Sequence, residues 1–376
     1  MRILARDIYL SARSLILTLL INPFLSPKIQ KFDSSSVKRV LFIRLDRIGD
    51  IAVSLPAIAA LGKIFPKADI SLLVREDNTR LLKGFKGIDE IIPYQGFFRT
   101  LRQLRRRQFE VAVDPLMDYP LKPAMLAYFS GAGLTAGFDI AARGILFSLK
   151  IKPRPRQQHM ARHILELISA LAGFCGVRLS AVAPVLKYHL GEEERLFVES
   201  FMRQNGIGRD EFLVGIHPGA YHQLQRWPVE RFSELAQRIV NQFKVKLVVI
   251  GSRNEEQLAD KILNRVKGAG IKAIGLSLDR LAALTSLMKF FVGNNSGPLH
   301  IASAFNIPTV STMGPTDPLY WRPTEGNDIA IRKDLSCSPC RRKVCQRHSC
   351  LESISAEEMF QAVSSQLERL TKGKVS

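Results

Sequence analysis

Two acids, Asp46 and Asp50, lie in the stretch Leu45-Asp46-Arg47-Ile48-Gly49-Asp50, directly after the apolar run Val40-Leu41-Phe42-Ile43. A carboxylate at the end of a buried strand can take a proton from a substrate hydroxyl, the work of a general base. Aspartate at such a turn also commonly caps a helix, and the spacing leaves both readings open. A second stretch, Gly293-Asn294-Asn295-Ser296-Gly297-Pro298-Leu299-His300, suits a different task. Its glycines allow close backbone approach and its proline fits a helix's first turn. Free N–H groups at that helix start could hold a diphosphate. Ser296 adds a hydroxyl donor. His300 falls about one turn into the helix, where it either meets the same ligand or packs as a structural histidine. The segments His217-Pro218-Gly219-Ala220 and Arg226-Trp227-Pro228 could wall a phosphate or a sugar, although a Pro-Gly turn alone says little.

Four cysteines, Cys337, Cys340, Cys345 and Cys350, cluster with His348 among them, while Cys175 stands apart. Their spacing, C-x2-C-x4-C-x4-C, lacks the well-separated pairs of common zinc knuckles. A structural zinc and free or partly paired thiols both remain open, and nothing resembles an open three-ligand catalytic metal site.

These groups need elements to position them. Val40–Ile43 has no polar alternation, so it reads as a strand buried on both faces of a parallel sheet. Leu55, Ile58, Leu61 and Phe65 follow at helical spacing; Pro56 is tolerated if that helix begins near Ser54 and would otherwise kink it. Residues 70–74 and 111–113 read as further strands. The second half repeats the plan: strands over 212–216, 246–250, 290–292 and 308–313, with helices over 228–243, 255–266 and 298–304. Ser355 and Glu358 form the capping box of a last helix. Strands alternating with helices imply two doubly wound α/β domains, with ligands in the cleft at the carboxyl ends of the strands. The expected boundaries are a basic N-terminal segment and linker over 1–36, a first domain over 37–195, a second over 196–354 carrying the cysteine cluster at 337–350, and a helix and tail over 355–376.

The chain has 376 residues, of which 46% are hydrophobic, enough for two cores. Lys and Arg number 54 against 34 Asp and Glu, a net charge of +20. Such a surface favours nucleic acid, anionic lipid or phosphorylated substrates. No helix-turn-helix or aromatic-basic RNA signature is present, which argues against nucleic acid. Near the N-terminus, Arg2, Arg6 and Arg13 accompany the short apolar run of residues 15–21. The run is too short to span a bilayer and lacks a cleavage site. Residues 5–21 read as a basic amphipathic helix, either an interfacial anchor on an anionic leaflet or a helix packed on the protein's own core. Lys28, Lys31 and serines 34–36 then form a linker.

The segments Val40-Leu41-Phe42-Ile43-Arg44…Ile48-Gly49-Asp50…Leu55-Pro56-Ala57, His217-Pro218-Gly219-Ala220…Arg226-Trp227-Pro228…Arg231-Phe232, and Gly293 through Ala304 followed by Met313-Gly314-Pro315-Thr316-Asp317-Pro318, together resemble the bacterial lipopolysaccharide heptosyltransferase family, glycosyltransferase family 9. The Cys337-Ser338-Pro339-Cys340 segment also recurs in many members. The likeness covers residues 38–360 in order.

The resemblance implies a GT-B fold, two Rossmann-like domains facing each other across a cleft, and an inverting sugar transfer that requires no cofactor. It implies Asp50 as the base, with Asp46 as fallback. The donor, ADP-heptose or another nucleoside-diphosphate sugar, would meet Ser296, Gly297, His300, Asn295, Gly219, Ala220, Gln225 and Arg226, with Glu255 and Leu276 loosely near ribose and adenine. The implied acceptor is an anionic lipid-linked glycan, lipid A–core, met at the inner face of the inner membrane by a peripheral protein held through residues 1–30. Two positions depart from the family. Gln225 stands where many members carry a basic residue, a charge that Arg226 or His222 could supply instead, and Asn295 stands where an acid often begins the third motif. A different donor, a sugar-nucleotide epimerase and a non-catalytic sugar-nucleotide-binding paralogue are the alternatives.

Overall fold

The computed structural model describes residues 2–16, 19, 33–154, 158–179, 188–323, 327–340 and 344–372. The chain divides into two compact units, Met1–Tyr188 and His189–Ser376.

In the first unit, strands β1 (Arg39–Arg44), β2 (Asp69–Val74), β3 (Glu90–Pro93), β4 (Val111–Asp114), β5 (Leu134–Phe138) and β6 (Leu149–Ile151) form one sheet in the order β3-β2-β1-β4-β5-β6. Every pairing is parallel. Val40, Leu41, Phe42 and Ile43 are buried, as an apolar run between two parallel neighbours requires. The strand order reverses between β1 and β4, so their carboxyl ends flank a switch point, where open α/β sheets take ligands.

Helix α1 (Arg2–Ile16) covers part of the expected 5–21 helix; residues 17–18, 20–21, Lys28 and Lys31 lie outside the described residues. Serines 34–36 form a short 3-10 turn capped by Asp33 instead of an irregular linker. Arg13, counted among the basic residues that would face an anionic leaflet, turns inward instead. Its guanidinium donates to the Tyr119 carbonyl at 3.0 Å and the Ala141 carbonyl at 2.9 Å. Those carbonyls lie in the loops after β4 and β5, so α1 is held to its own unit, while Tyr9, Leu15 and Ile16 remain exposed.

The helix after β1, α2, spans Ile48–Ile64 and opens six residues before Ser54. Pro56 therefore sits inside it and brings no N–H for the Ala52 carbonyl. Burial of Ile51, Leu55, Ile58 and Leu61 holds the helix through this defect. Earlier opening moves Asp50 from a loop onto the first turn of α2. The remaining helices of this unit are α3 (Phe97–Arg107), α4 (Lys122–Phe129) and α5 (Met160–Phe174), with a short turn of helix before β3.

The second unit opens with the charged helix α6 (Glu192–Gln204) and repeats the plan. Strands β7 (Leu213–His217), β8 (Lys246–Gly251), β9 (Gly270–Ile274), β10 (Phe290–Asn294), β11 (Thr309–Thr312) and β12 (Ile329–Ile331) pair in the order β12-β11-β10-β7-β8-β9, again all parallel. Its switch point lies between β7 and β10. Helices α7 (Val229–Gln242), α8 (Glu256–Val266), α9 (Leu278–Thr285) and α10 (Gly297–Ala304) join the strands. The final helix, α11 (Ala356–Lys372), is capped as expected: the Ser355 N–H donates to Glu358 at 2.9 Å, and the Glu358 N–H donates to the Ser355 hydroxyl at 3.1 Å. Its Met359, Val363 and Leu367 share a core with Phe232, Leu235 and Ile239 of α7.

Candidate active site

In the first unit the site forms around Arg44, the last residue of β1. Arg44 is 2% exposed and faces both acids: one guanidinium nitrogen lies 3.3 Å from Asp46 Oδ2 and the other 3.7 Å from Asp50 Oδ1. Asp50 occupies the third position of α2, where its Oδ2 accepts the Arg47 N–H at 3.3 Å. The capping and base readings are thus compatible: one oxygen caps the helix, and the other faces the guanidinium at a loose distance. The Ser54 hydroxyl donates to the Asp50 carbonyl at 2.8 Å and fixes the turn. Burial raises the Asp50 carboxyl above the ordinary aspartate value; Arg44 opposes that rise, and the neighbouring Asp46 charge adds to it. With a quarter of its side chain still exposed, Asp50 is a desolvated but reachable carboxylate.

The adjacent strand end is closed by a second ion pair. Arg143 and Asp114 are fully buried and bonded to each other, and Arg143 also donates to the Leu116 and Asp118 carbonyls. This pair welds the ends of β4 and β5 beside the switch point. The two Nη groups of Arg143 are used in these bonds while its Nε is buried without a partner, and burial still raises the Asp114 carboxyl, with Arg143 opposing the rise.

In the second unit the site forms where β7 and β10 end. Asn294, completely buried, ties three segments together. Its Oδ1 accepts the Trp227 N–H and the Thr312 hydroxyl, each at 2.9 Å, and its amide nitrogen donates to the Pro218 and Gly219 carbonyls at 2.8 and 3.1 Å. The His217–Ala220 turn, the Trp227 helix start and the Ser296 turn are thereby held as one cradle. Ser296 is the N-cap of α10, with Gly297 and Pro298 opening the helix. Ser296 Oγ lies 2.8 Å from His217 Nδ1. On the far side of that ring, His217 Nε2 lies 3.7 Å from Glu255 Oε2.

Glu255 follows β8 and accepts the Ser252 N–H and hydroxyl, each at 2.9 Å, while its other oxygen pairs with Arg226 at 3.2 Å. Burial alone would push this carboxyl up; the His217 ring and the Ser252 donors outweigh it and hold the carboxyl at about 2. Gly219 is required here, because a Cβ on it would sit 2.1 Å from Glu255 Oε1. Ala220 accepts from Arg226 Nε at 2.9 Å, so Arg226 is committed to Glu255 and this carbonyl. Gln225 donates to the Thr316 hydroxyl at 2.9 Å, and Asn295 Oδ1 lies 3.0 Å from His300 Nε2. Leu276 stands half-buried in the loop after β9, whose end pairs with that of β8.

The donor-side residues named from sequence therefore gather at one sheet edge of the second unit, and both acids gather at the matching edge of the first. Sequence reasoning missed the organising residues. Arg44, His217, Asn294 and Thr316 were quoted only as parts of motifs, and the Arg143–Asp114 pair carried no local signal at all.

Cys340 and Cys345 lie near Cys350, without forming a metal-holding group among the described residues. Cys337 is exposed, Cys340 and Cys345 are half-buried and Cys350 is buried, all four as free thiols. Among the described residues no group of three or more His, Cys, Asp or Glu is placed to hold a metal ion. Cys350 is pushed up by burial and by the nearby Cys340 and Cys345.

Two doubly wound units with ligand-type cradles at their switch points define a GT-B glycosyltransferase fold. A solved family 9 glycosyl transferase from Veillonella parvula superposes with a TM-score of 0.77 at 20% identity, over 90% of this chain and 99% of that one. An Escherichia coli ADP-heptose LPS heptosyltransferase II superposes with a TM-score of 0.73 at 20% identity, over 89% and 99%. The family model of glycosyltransferase family 9 (heptosyltransferase) matches residues 97–350, and the chain belongs to that family. It is a glycosyltransferase. A lipooligosaccharide heptosyltransferase 2 of Campylobacter jejuni is 23% identical over 336 residues, 86% of this chain and 98% of its own.

Proposed function

We propose that the chain transfers a heptose from ADP-heptose to a lipopolysaccharide core or related lipid-linked glycan, with inversion at the anomeric carbon. The acceptor is assigned to the first unit and the donor to the second. The observation that carries the reading is the Asp50 carboxylate, raised by burial yet a quarter exposed, in the family's base position. The acceptor hydroxyl gives its proton to Asp50 as its oxygen attacks the anomeric carbon. The bond from that carbon to the departing diphosphate breaks on the opposite face. Arg44 orients the carboxylate and keeps it ionised. The charge gathering on the diphosphate is met by Ser296 and the free N–H groups at the start of α10. The step needs no metal. Relatives solved with ADP and with an ADP-heptose analogue support the choice of donor.

The membrane assignment rests on the exposed Tyr9, Leu15 and Ile16 of α1 and on the +20 net charge. No helix of the described residues is long and apolar enough to cross a membrane. The protein would sit on the cytoplasmic face of the inner membrane through residues 1–30.

One pair of observations favours a second reading, a different sugar nucleotide. Gln225 brings a neutral amide, bonded to Thr316, where many relatives have a cation, and Arg226 is engaged by Glu255. Incubation with a panel of sugar nucleotides and truncated lipid A–core acceptors, followed by mass spectrometry, separates the two. A product heavier by one heptose, formed only from ADP-heptose, is expected. A product formed only from another donor moves the assignment to the second reading, and turnover of donor without acceptor overturns both.

A further inference from the structure

The His217 ring lies between two partners that ask opposite things of it. On one side Glu255, which also accepts from Ser252 and pairs with Arg226, faces His217 Nε2 at 3.7 Å, so the ring presents its Nε2 proton to that acceptor. On the other side Nδ1 meets Ser296 Oγ at 2.8 Å. When the ring is neutral, Nδ1 is a lone pair and the Ser296 hydroxyl must donate to it. Ser296 then offers only lone pairs to whatever binds at the start of α10, and lone pairs repel a phosphate oxygen. When the ring is protonated, Nδ1–H donates to Ser296 Oγ, and the hydroxyl hydrogen turns outward as a donor.

We propose that His217 is a positioning residue that couples donor binding to proton uptake, with a diphosphate selecting the imidazolium form because only that form frees the Ser296 hydroxyl to donate. The proposal rests on the placement of the donor diphosphate at Ser296. No covalent bond changes: one proton moves from solvent to Nδ1, and the hydroxyl rotates.

The surroundings decide how strongly the coupling acts. Glu255 favours the imidazolium. Arg226 shares that carboxylate from the turn before α7 and opposes it. Asn294 and Gly293 at the end of β10 are neutral, and on α10 His300 pairs with neutral Asn295. His217 is itself 5% exposed. Binding of a diphosphate adds negative charge and raises the histidine's proton affinity further. Diphosphate affinity should therefore be greatest at low pH and should fall as the pH rises.

The test is titration calorimetry of the full chain with ADP, UDP, GDP and CDP across about pH 6–9, in buffers of different ionisation enthalpy. The tightest-binding diphosphate should take up a fraction of a proton, approaching about one where His217 is neutral in the free protein. His217→Asn keeps a polar atom near Nδ1 but cannot titrate, and Ser296→Ala removes the hydroxyl. His217→Asn should bind the same nucleotide with the uptake and the pH slope reduced to those of the nucleotide's own phosphate, and Ser296→Ala should reduce both in part. If His217→Asn fails to fold, Ser296→Ala carries the comparison alone. Equal proton uptake in wild type and variants overturns the coupling while leaving the donor site in place. No binding of any of the four to wild type at any pH overturns the placement of the donor site, and the coupling with it.

Discussion

Asp50 in the first unit and Glu255 in the second each follow a parallel strand's carboxyl end, and the two carboxylates are treated in opposite ways. Asp50 is raised by burial, with one guanidinium at 3.7 Å and one backbone N–H at 3.3 Å to offset the cost. Glu255 is as dry or drier, yet its four neighbouring groups, from Ser252, His217 and Arg226, bring it down to about 2. Burial acts upward on both, and the partners around Glu255 overcome it where those around Asp50 do not. A carboxylate left short of donors is a better proton acceptor, because protonation relieves it. A carboxylate whose donors outweigh its burial holds a proton less readily. The first arrangement suits chemistry at the cost of stability, and the second suits architecture.

The sharpest way to break this contrast is Asp50→Asn. Transfer should fall by about 10²–10⁴-fold, the usual weight of a general base. Because the folded-state carboxyl lies above the ordinary 3.8, its ionised form is disfavoured by folding, and the neutral amide should leave the melting temperature unchanged or raise it. Near-normal turnover, or a clear loss of stability, would show that Asp50 serves architecture and would pass the role of base to Asp46. In the wild type the acid limb of kcat/KM should lie above the ordinary aspartate range, since activity is lost as pH falls through the raised value.

Glu255→Gln should act mainly on stability. A carboxyl lowered from 4.5 to about 2 stabilises the fold by up to about 3 kcal/mol. That contribution is fully present above 4.5 and is lost as pH falls toward 2. Urea unfolding should therefore find the variant weaker than wild type at neutral pH, with the gap narrowing below pH 4.5 and closing only as the pH falls toward 2. A pH-independent gap would mean that Glu255 acts through packing and not through its charge.

Smaller effects are expected at the donor cradle. Ser296→Ala should weaken nucleotide binding by about 0.5–1.5 kcal/mol, because the backbone N–H groups remain. Gly297→Val should do more, since a branched side chain blocks close approach to them. Calorimetry with ADP that ranks the two variants the other way would place the hydroxyl, not the backbone, in charge of the phosphate.

Least affected should be activity on a soluble acceptor after deletion of residues 1–30, while binding to anionic vesicles is lost. Arg13 bonds to the Tyr119 and Ala141 carbonyls, so some loss of thermal stability should accompany the deletion. Aggregation or global unfolding would assign α1 to the core and remove the anchor reading.

Much of this protein could be read directly. Uninterrupted apolar runs such as Val40–Ile43 announced strands buried on both faces, because no half-exposed strand can afford them. Ser355 and Glu358 announced the start of α11, because a capping box is satisfied within four residues. The order of the motifs placed the acids in one half and the diphosphate turn in the other. What the sequence could not reveal depended on atoms brought together from far along the chain. The start of α2 at Ile48 was hidden because Pro56 argues locally against it, and only burial of the helix's apolar face overrides that. The basic pattern around Arg13 suits a membrane surface as well as a core, and only the fold brings two carbonyls from more than a hundred residues away to its guanidinium. The opposite fates of Asp50 and Glu255 were equally invisible, since both are acids just beyond a strand. Only the folded chain decides how many donors reach each one: those around Glu255 lower its carboxyl, while burial raises that of Asp50.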